Sequence, residues 1–150
     1  MKPLILFNPP ESARAYSSIY ATQVTPGIGH ARSMIDSRWC WIAHANVAGQ
    51  WMHIDAGAGR EVYGVVTQGR PGYEQRVTSY RVEVLLSGSW VAMRNEAGSF
   101  TFTGNTDRDT HVQHRFSNSV TTRYVKFSPL SWTSHIAMRA GLLILPPTPN

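Results

Sequence analysis

Apolar and polar side chains alternate along much of the chain with a period of two residues. The clearest run is Tyr80, Val82, Val84 and Leu86, which alternate with mostly polar neighbours, and a second run covers residues 136–144. Successive side chains of a β-strand point to opposite faces, so this pattern predicts strands that bury one face. Helical spacing of apolar residues is almost absent. The chain is therefore expected to be all-β.

Short segments of this kind recur and are separated by Gly, Asn, Ser or Pro. They cover residues 50–55, 61–67, 77–86, 99–103, 111–116, 122–128 and 135–143. A Ser-Gly-Ser turn at 87–89 returns the chain into residues 90–93, which indicates a hairpin. Strands about every 8–12 residues with turns between them predict a β-sandwich or barrel. We expect one domain over residues 1–145 and a flexible tail over residues 146–150.

Composition narrows the class of protein. The chain has 150 residues, of which 42% are hydrophobic, and this is enough to bury a core without a disulfide or a metal. Cys40 is the single cysteine, which excludes an internal disulfide and a paired-cysteine zinc site. The longest apolar stretches are far shorter than the ~20 residues of a membrane-spanning helix, and the first ten residues contain no secretory hydrophobic segment. From these features we expect a cytoplasmic location.

The net charge is +5, and the basic residues are 12 arginines and two lysines. A basic domain raises nucleic acids and anionic membranes as partners. The arginines are scattered without a run of like charge, so we expect most of them to be solvated or locally paired and expect no nucleic-acid partner. Asp55 and Arg139 interrupt apolar strands. Because an unpaired buried charge is costly, we expect each of them to lie in an ion pair or a hydrogen-bonded network.

Candidate catalytic and metal-binding residues are few. His111 and His114 are three residues apart, which places them on opposite faces of a strand and prevents them from holding one ion. The common hydrolase and nucleotide-binding motifs are absent from the sequence, so we expect neither enzyme activity nor a cofactor. Asp107 and Asp109 resemble part of a calcium loop, but Thr110 stands where an EF-hand loop needs glycine. We therefore favour a turn stabilised by Asp side chains, with a structural calcium ion as the alternative.

Large apolar side chains within or beside the predicted strands are expected in the core. These are Trp51, Trp90 and Trp132, since each tryptophan has much apolar area to hide. Cys40 lies between two tryptophans, and no cation or helix start adjoins it in the sequence. We interpret it as a small buried hydrophobe rather than a reactive thiol.

A set of short motifs occurs in a fixed order along the chain. The motifs are Tyr16-Ser17-Ser18, Trp41, residues 50–55 (QWMHID), 64–69 (GVVTQG), 77–80 (VTSY), 102–107 (FTGNTD), 123–127 (RYVKF) and 132–139 (WTSHIAMR). Their order and gaps resemble the discoidin domain, the coagulation factor V/VIII C-type module, from about residue 8 to residue 143. Residues 104–112 (GNTDRDTHV) are especially similar to the slime-mould discoidin lectins. The resemblance implies a jellyroll-like antiparallel β-sandwich of about eight strands with projecting ligand-binding loops.

The termini depart from the family pattern. Extracellular members of the discoidin family usually join the two ends of the sandwich by a disulfide. Here the matching positions, near Asn8 and just after Ile144, carry no cysteine. The difference favours an intracellular version of the domain, with its terminal strands held by packing.

The resemblance also implies that the ligand binds among loops at one end of the sandwich. Three segments match those loops, at residues 19–30, 38–49 and 70–76. The candidate ligand-binding residues in them are Tyr20, His30, Trp39, His44, Asn46, Arg70, Tyr73, Glu74 and Arg76. A sugar needs such a mixture, with a ring to cover its apolar face and polar groups to pair with its hydroxyls. The alternative is that such residues merely occupy surface loops.

Discoidin family members divide among glycans, anionic phospholipids and proteins as ligands. The third loop carries only Tyr73 as a bulky apolar tip, and the first loop has no tryptophan, so these tips are a poor membrane anchor. The sequence therefore favours a non-catalytic module with lectin-like recognition of galactose-type glycans. The alternatives are a protein–protein interaction module of an intracellular complex and anionic phospholipid binding. The oligomeric state stays open.

Overall fold

The computed structural model describes residues 2–21 and 25–148. These residues form one turn of 3-10 helix, Glu11–Ala13, and nine β-strands, without an α-helix. The strands are β1 (Ile5–Phe7), β2 (Arg14–Tyr16), β3 (Trp41–Ile42), β4 (Met52–Gln68), β5 (Arg76–Leu86), β6 (Ser89–Ala92), β7 (Phe102–Thr103), β8 (Val112–Thr133) and β9 (Ala137–Ile144). The all-β prediction is confirmed. Across the described ranges, no helix has the length and hydrophobicity to cross a lipid bilayer.

Two long antiparallel strands, β4 and β8, organise the sheet. The first half of β4 pairs with β2 on one side and with the second half of β8 on the other. The second half of β8 also pairs with β5, and β5 pairs with β6 and β7. The second half of β4 pairs with the first half of β8 and with β9, and β9 also pairs with β1 and β3. The register shifts between Asp55 and Arg60 and again between Val62 and Gly64. Such irregularities bend a strand, so β4 and β8 run continuously through both layers of the sheet.

One hydrophobic core fills the space between the layers. Ile54, Val82 and Phe127 come from the first layer, Val65 and Leu142 come from the second, and all five belong to a single buried cluster. Ile54, Val82 and Phe127 lie at apolar positions of the period-two pattern, so in the first layer the alternation marks the buried face. In the second layer all eight residues of β9 are buried, so both of its faces are covered. The fold is therefore a two-layer sandwich.

Strand bounds differ from the sequence prediction at the bend. Residues 50–55 and 61–67 were expected to form two strands, but both lie in β4. The Gly57 and Gly59 residues between them adopt φ angles of 86° and 64°, which makes an irregular segment inside the strand rather than a strand end. Segments 111–116 and 122–128 are likewise joined in β8.

The tryptophan predictions had mixed outcomes. Trp132 packs against the core while remaining partly exposed, and Trp51 is half-buried. Trp90 is 36% exposed, so its assignment to the core was wrong. It lies on β6, an edge strand whose four residues are all exposed. The fully buried tryptophan is Trp41.

Asp55 and Arg139 are both paired, as expected. Asp55 accepts hydrogen bonds from Arg123 at 3.0 Å, and Arg139 donates to Asp109 at 2.7 Å. The hydrogen bonds from Arg123 lower the pKa of the Asp55 carboxyl. The prediction of structural ion pairs is confirmed for both residues.

The terminal strands lie side by side. Ile5 in β1 pairs with Ile144 in β9, so backbone hydrogen bonds join the two ends of the domain without a disulfide. The domain boundary at residue 145 stays a prediction. Pro149 and Asn150, at the end of the predicted flexible tail, lie outside the described residues.

Arg14 ties the N-terminal segment to the second layer. Its side chain is buried, and the guanidinium group donates to the carbonyl oxygens of Pro9, Ser33 and Ala140 and to Asn8 Oδ1. Burial lowers the pKa of this guanidinium to about 10, which still leaves it charged at neutral pH.

Replacing Arg14 by Ala should lower the free energy of unfolding by about 3 kcal/mol or more. The reason is that a hydrogen bond to a charged group contributes roughly 1.5–3 kcal/mol and the buried carbonyls would lose their donor. Urea unfolding measures the effect. Arg81→Ala, at an exposed position of β5, is the matched control and should change stability by no more than about 0.5 kcal/mol. Equal losses in the two variants would contradict the structural role of Arg14.

Candidate functional site

The predicted ligand-binding loops emerge at one end of the sandwich. Gln68 at the end of β4 pairs with Arg139 in β9, and Ile42 in β3 pairs with Ala137. The loop after β4, the segments on either side of β3 and the turn before β9 therefore meet there. Residues 22–24 of the first predicted loop lie outside the described residues.

A row of rings crosses this end. Tyr20 lies between His135 and His30, with ring centroids at 5.8 Å and 6.2 Å, and the His30 ring lies 6.3 Å from the ring of Trp39. The backbone N–H of Tyr20 donates to the carbonyl of Ile42 at 2.8 Å and fixes the first loop against β3. Tyr20 and Trp39 remain 49% and 45% exposed, so parts of these rings are available to a ligand.

The third loop lies beside the row, because Arg70 and Gln75 line a cavity together with Tyr20, His30 and His135. The backbone N–H of Arg70 donates to the Gln75 carbonyl at 3.0 Å, and Arg70 Nη1 donates to Gln75 Oε1 at 2.6 Å. The guanidinium carbon of Arg70 lies 3.8 Å from the centre of the Tyr73 ring. This cation–π contact holds the exposed Tyr73 against a charged group.

Two cavities lie between the loops. The larger, of about 400 Å³, is lined by His30, Arg38, Trp39, Cys40, Arg70, Pro71 and Tyr73. The smaller, of about 190 Å³, is lined by Tyr20, His30, Ile42, Arg70, Gln75 and His135. His30 and Arg70 belong to both linings and therefore lie where the two cavities meet. The larger cavity falls in the roughly 300–1,000 Å³ range of small-molecule sites.

A buried arginine supports the floor of the site. Arg139 donates to the carbonyl oxygens of Gly69 and Ser37 at 2.9 Å and 2.8 Å. Its Nη2 donates to the Arg108 carbonyl at 2.8 Å as well as to the Asp109 carboxylate. Gly69 and Ser37 immediately precede Arg70 and Arg38, so one side chain fixes the bases of two loops.

Burial shifts the pKa of two groups in the larger cavity. The pKa of His30 is lowered, chiefly by burial and next by the positive charge of Arg70, so its ring is neutral at physiological pH. Burial raises the pKa of the Cys40 thiol to about 12. Cys40 is 2% exposed, which confirms that it packs as a small hydrophobe.

The structure groups five of the nine candidate residues around the cavities: Tyr20, His30, Trp39, Arg70 and Tyr73. The other four, His44, Asn46, Glu74 and Arg76, do not line either of these cavities. His44 is exposed, and its backbone N–H donates a hydrogen bond to Ser18 Oγ. A ligand-binding role for the nine residues stays a prediction.

Asn46 supports the turn before β9. Its Nδ2 donates to the Ser134 carbonyl and lies 3.2 Å from His135 Nδ1, while its Oδ1 accepts the backbone N–H of Ile136. His135 Nε2 lies 2.9 Å from the Ala43 carbonyl, so this pattern corresponds to the tautomer with the proton on Nε2. Asn46 therefore positions a residue of the site.

Glu74 and Arg76 turn away from the cavities. The Glu74 carboxylate accepts hydrogen bonds from Arg76 at 2.8 Å and from Arg108 at 2.7 Å. These contacts join the third loop to the segment before β8. The carboxylate of Glu74 and the guanidinium group of Arg76 therefore form a salt bridge with each other within the protein.

Six lining residues were not among the sequence candidates: Arg38, Cys40, Ile42, Pro71, Gln75 and His135. Arg38 and Gln75 were inside the predicted loop segments but were not selected. His135 was assigned to the start of the last strand, whereas β9 begins two residues later. The two polar residues before it, Thr133 and Ser134, could have indicated a turn at this point.

The segment between β7 and β8 is a turn stabilised by its own side chains. Asp107 Oδ1 accepts the backbone N–H of Thr110 at 2.9 Å, which confirms the predicted turn. Among residues 2–21 and 25–148, no group of three or more His, Cys, Asp or Glu side chains is placed to hold a metal ion. The alternative of a structural calcium ion stays a prediction.

The family model of the F5/8 type C domain matches residues 12–142. The chain belongs to the F5/8 type C domain family. Mouse lactadherin is 36% identical to this F5/8 type C domain over 106 residues, which are 69% of this chain and 23% of lactadherin. Rat lactadherin is also 36% identical, over 69% of this chain and 25% of its own length. The chain thus spans about a quarter of the length of these curated relatives.

Solved structures confirm the jelly-roll sandwich expected for an F5/8 type C domain. Discoidin II from Dictyostelium discoideum matches with a TM-score of 0.65 at 22% identity, covering 97% of this chain and 56% of that one. The family 32 CBM from C. perfringens NanJ, solved in complex with galactose, has a TM-score of 0.70 at 12% identity, covering 93% of this chain and 99% of the module. At these identities, the similarity establishes the fold alone.

The Cys40 thiol should react with Ellman's reagent at pH 8 at least about a hundredfold more slowly in the native protein than in urea. The thiolate is the reactive form, and both the raised pKa and burial suppress it in the folded state. Absorbance at 412 nm follows the reaction, and Cys40→Ser supplies the blank. Rapid modification of the folded protein would show that this part of the cavity opens readily.

Proposed function

We propose that this F5/8 type C domain recognises galactose-type glycans without catalysis. The observation that carries the proposal is the larger cavity, where Trp39 and Tyr73 present exposed rings beside Arg38 and Arg70. A pyranose has apolar C–H faces that pack on aromatic rings, and its hydroxyls pair with fixed polar groups. Arginine offers several donors in one plane and suits neighbouring hydroxyls.

The relatives support this direction. Domains of the F5/8 type C family are non-catalytic binding modules. A module of the same fold, the family 32 CBM of NanJ, was solved in complex with galactose. We extend both properties to this chain: its cavity holds a sugar through shape and hydrogen bonds, and the chain carries out no reaction on it.

A second candidate function is binding to an anionic membrane. It is favoured by exposed apolar side chains on the same loops: Tyr20 (49%), Ile28 (56%), Trp39 (45%), Val47 (53%) and Tyr73 (56%). Ile28 and Val47 give the first two loops more apolar surface than the sequence analysis assigned to them. Such tips enter a lipid interface, and the net charge of +5 assists on an anionic surface.

Other properties stay predictions. We propose that the domain binds its ligand without calcium, which metal analysis of the purified protein and binding assays with a chelator would test. A cytoplasmic location and a protein partner are likewise proposals, and imaging of the tagged full-length protein would test the former.

Tyr73→Ala and Arg70→Ala should each weaken glycan binding by about 1–2 kcal/mol, or roughly fivefold to thirtyfold. The first variant removes a stacking ring, and the second removes donors at the junction of the cavities. Titration calorimetry with methyl galactoside measures the affinities. Thermal unfolding should show little change, because surface loop substitutions usually alter stability by no more than about 0.5 kcal/mol.

Matched controls lie on β5 and β6, outside the three candidate loops. Trp90→Ala removes an exposed ring of β6, and Arg81→Ala removes an exposed arginine of β5. Neither variant should alter glycan affinity. Normal sugar binding by both loop variants would refute the site. Pelleting with phosphatidylserine vesicles that fades with salt, without sugar binding, would support the membrane function instead.

A further inference from the structure

The arginines of the loop end are divided into paired and unpaired groups. Arg76, Arg108 and Arg139 make salt bridges with carboxylates. Within the part of the chain that the structure describes, Arg32, Arg38 and Arg70 make no salt bridge. Arg32 stacks on Trp39 at 4.2 Å, and Arg38 and Arg70 line the larger cavity. The cavity is thus surrounded by positive charge without a counter-charge from the described protein.

Three carboxylates at this end of the domain already accept hydrogen bonds from other side chains. The pairs are Glu74 with Arg76 and Arg108 at 2.8 Å and 2.7 Å, Asp109 with Arg139 at 2.7 Å, and Asp36 with His111 at 2.8 Å. Asp36 also accepts a hydrogen bond from Gln68 Nε2. None of these acids is among the residues that line the larger cavity.

Donor capacity remains on the cavity arginines. Arg70 uses Nη1 for Gln75, while no partner within the described residues is assigned to its Nε and Nη2. Arg38 is exposed, and its guanidinium group has no hydrogen-bond partner within those same residues. Two guanidinium groups in one cavity match an anion better than a neutral ligand, and a planar carboxylate fits their paired donors.

We propose that the larger cavity binds a carboxylated pyranose of the uronic acid class, whose carboxylate pairs with Arg38 and Arg70 while the sugar ring packs against Trp39 and Tyr73. This inference rests on the proposed glycan-binding function and narrows its ligand class. The concave shape and the ring walls favour a sugar over a bilayer, which protruding tips would contact without filling the cavity.

Galactose and galacturonate provide a matched pair of probes. Methyl galacturonide carries a carboxylate where methyl galactoside carries a hydroxymethyl group, and the methyl ester of the galacturonide removes the charge. Titration calorimetry at pH 7.5 and low salt should show about tenfold tighter binding of methyl galacturonide than of methyl galactoside. The ester should bind like the galactoside, and the preference should shrink at 300 mM NaCl because salt screens exposed charges.

Arginine variants test the residues. Arg38→Gln and Arg70→Gln should each weaken binding of methyl galacturonide more than binding of methyl galactoside, so the ratio of the two affinities falls. Arg81→Gln, an exposed arginine on β5, should leave the ratio unchanged. Circular dichroism and thermal unfolding verify that each variant is folded. An unchanged ratio in both loop variants would overturn the assignment of the carboxylate to these residues.

The outcomes separate this inference from the proposed function. Binding of methyl galactoside as tight as that of methyl galacturonide would overturn the acidic-sugar inference and keep the glycan site. Failure of both sugars would overturn the glycan function and the inference with it. Competition by acetate at the same concentration as the galacturonide would show a general anion site and overturn the inference. Vesicle pelleting without binding of either sugar would likewise contradict it.

Discussion

The loop end of this domain depends on a buried guanidinium group that must be fully paired. Arg139 is 2% exposed, and it obtains its partners from Ser37, Gly69 and the segment at 108–109. Burying a cation is costly unless hydrogen bonds and an opposite charge replace its water. The loops are therefore stable only where their carbonyls reach this side chain. A second buried guanidinium group makes similar contacts next to Arg139. Arg14 donates to the carbonyl oxygen of Ala140, the next residue of β9, and to that of Ser33 in the connection between β2 and β3.

These two buried arginines explain how a long irregular segment is held in place beside the candidate site. The described parts of the connection between β2 and β3 contain no helix or strand, and Ser33 and Ser37 within it are the points that the arginines hold. The same pairing decides the charge of the surface. Asp109 pairs with Arg139, and Glu74 pairs with Arg76 and Arg108. The arginines that line the larger cavity therefore have no carboxylate partner among the described residues.

Much of the fold follows from the sequence because alternation reports which face of a strand is buried. The same reasoning failed where local signals compete with tertiary structure. Gly57 and Gly59 indicate a strand end, yet β4 continues through them because it bends between layers. The candidate site was harder to predict because its contacts are remote in sequence. Asn46 contacts residues 88–90 positions away, so its supporting role depends on how β3 and β9 are paired.

The affinity of the proposed site for a sugar depends partly on how little the protein has to reorganise on binding. Ordering a mobile side chain on binding costs about 0.5–1.5 kcal/mol, which is comparable to the gain from one contact. Here Arg70 contacts Gln75 and Tyr73, and Arg32 stacks on Trp39, before a ligand arrives. The buried arginines beneath hold the loop backbones in the same way. Stability of the fold and preorganisation of the site therefore come from one set of interactions, and a substitution that loosens Arg139 would weaken both.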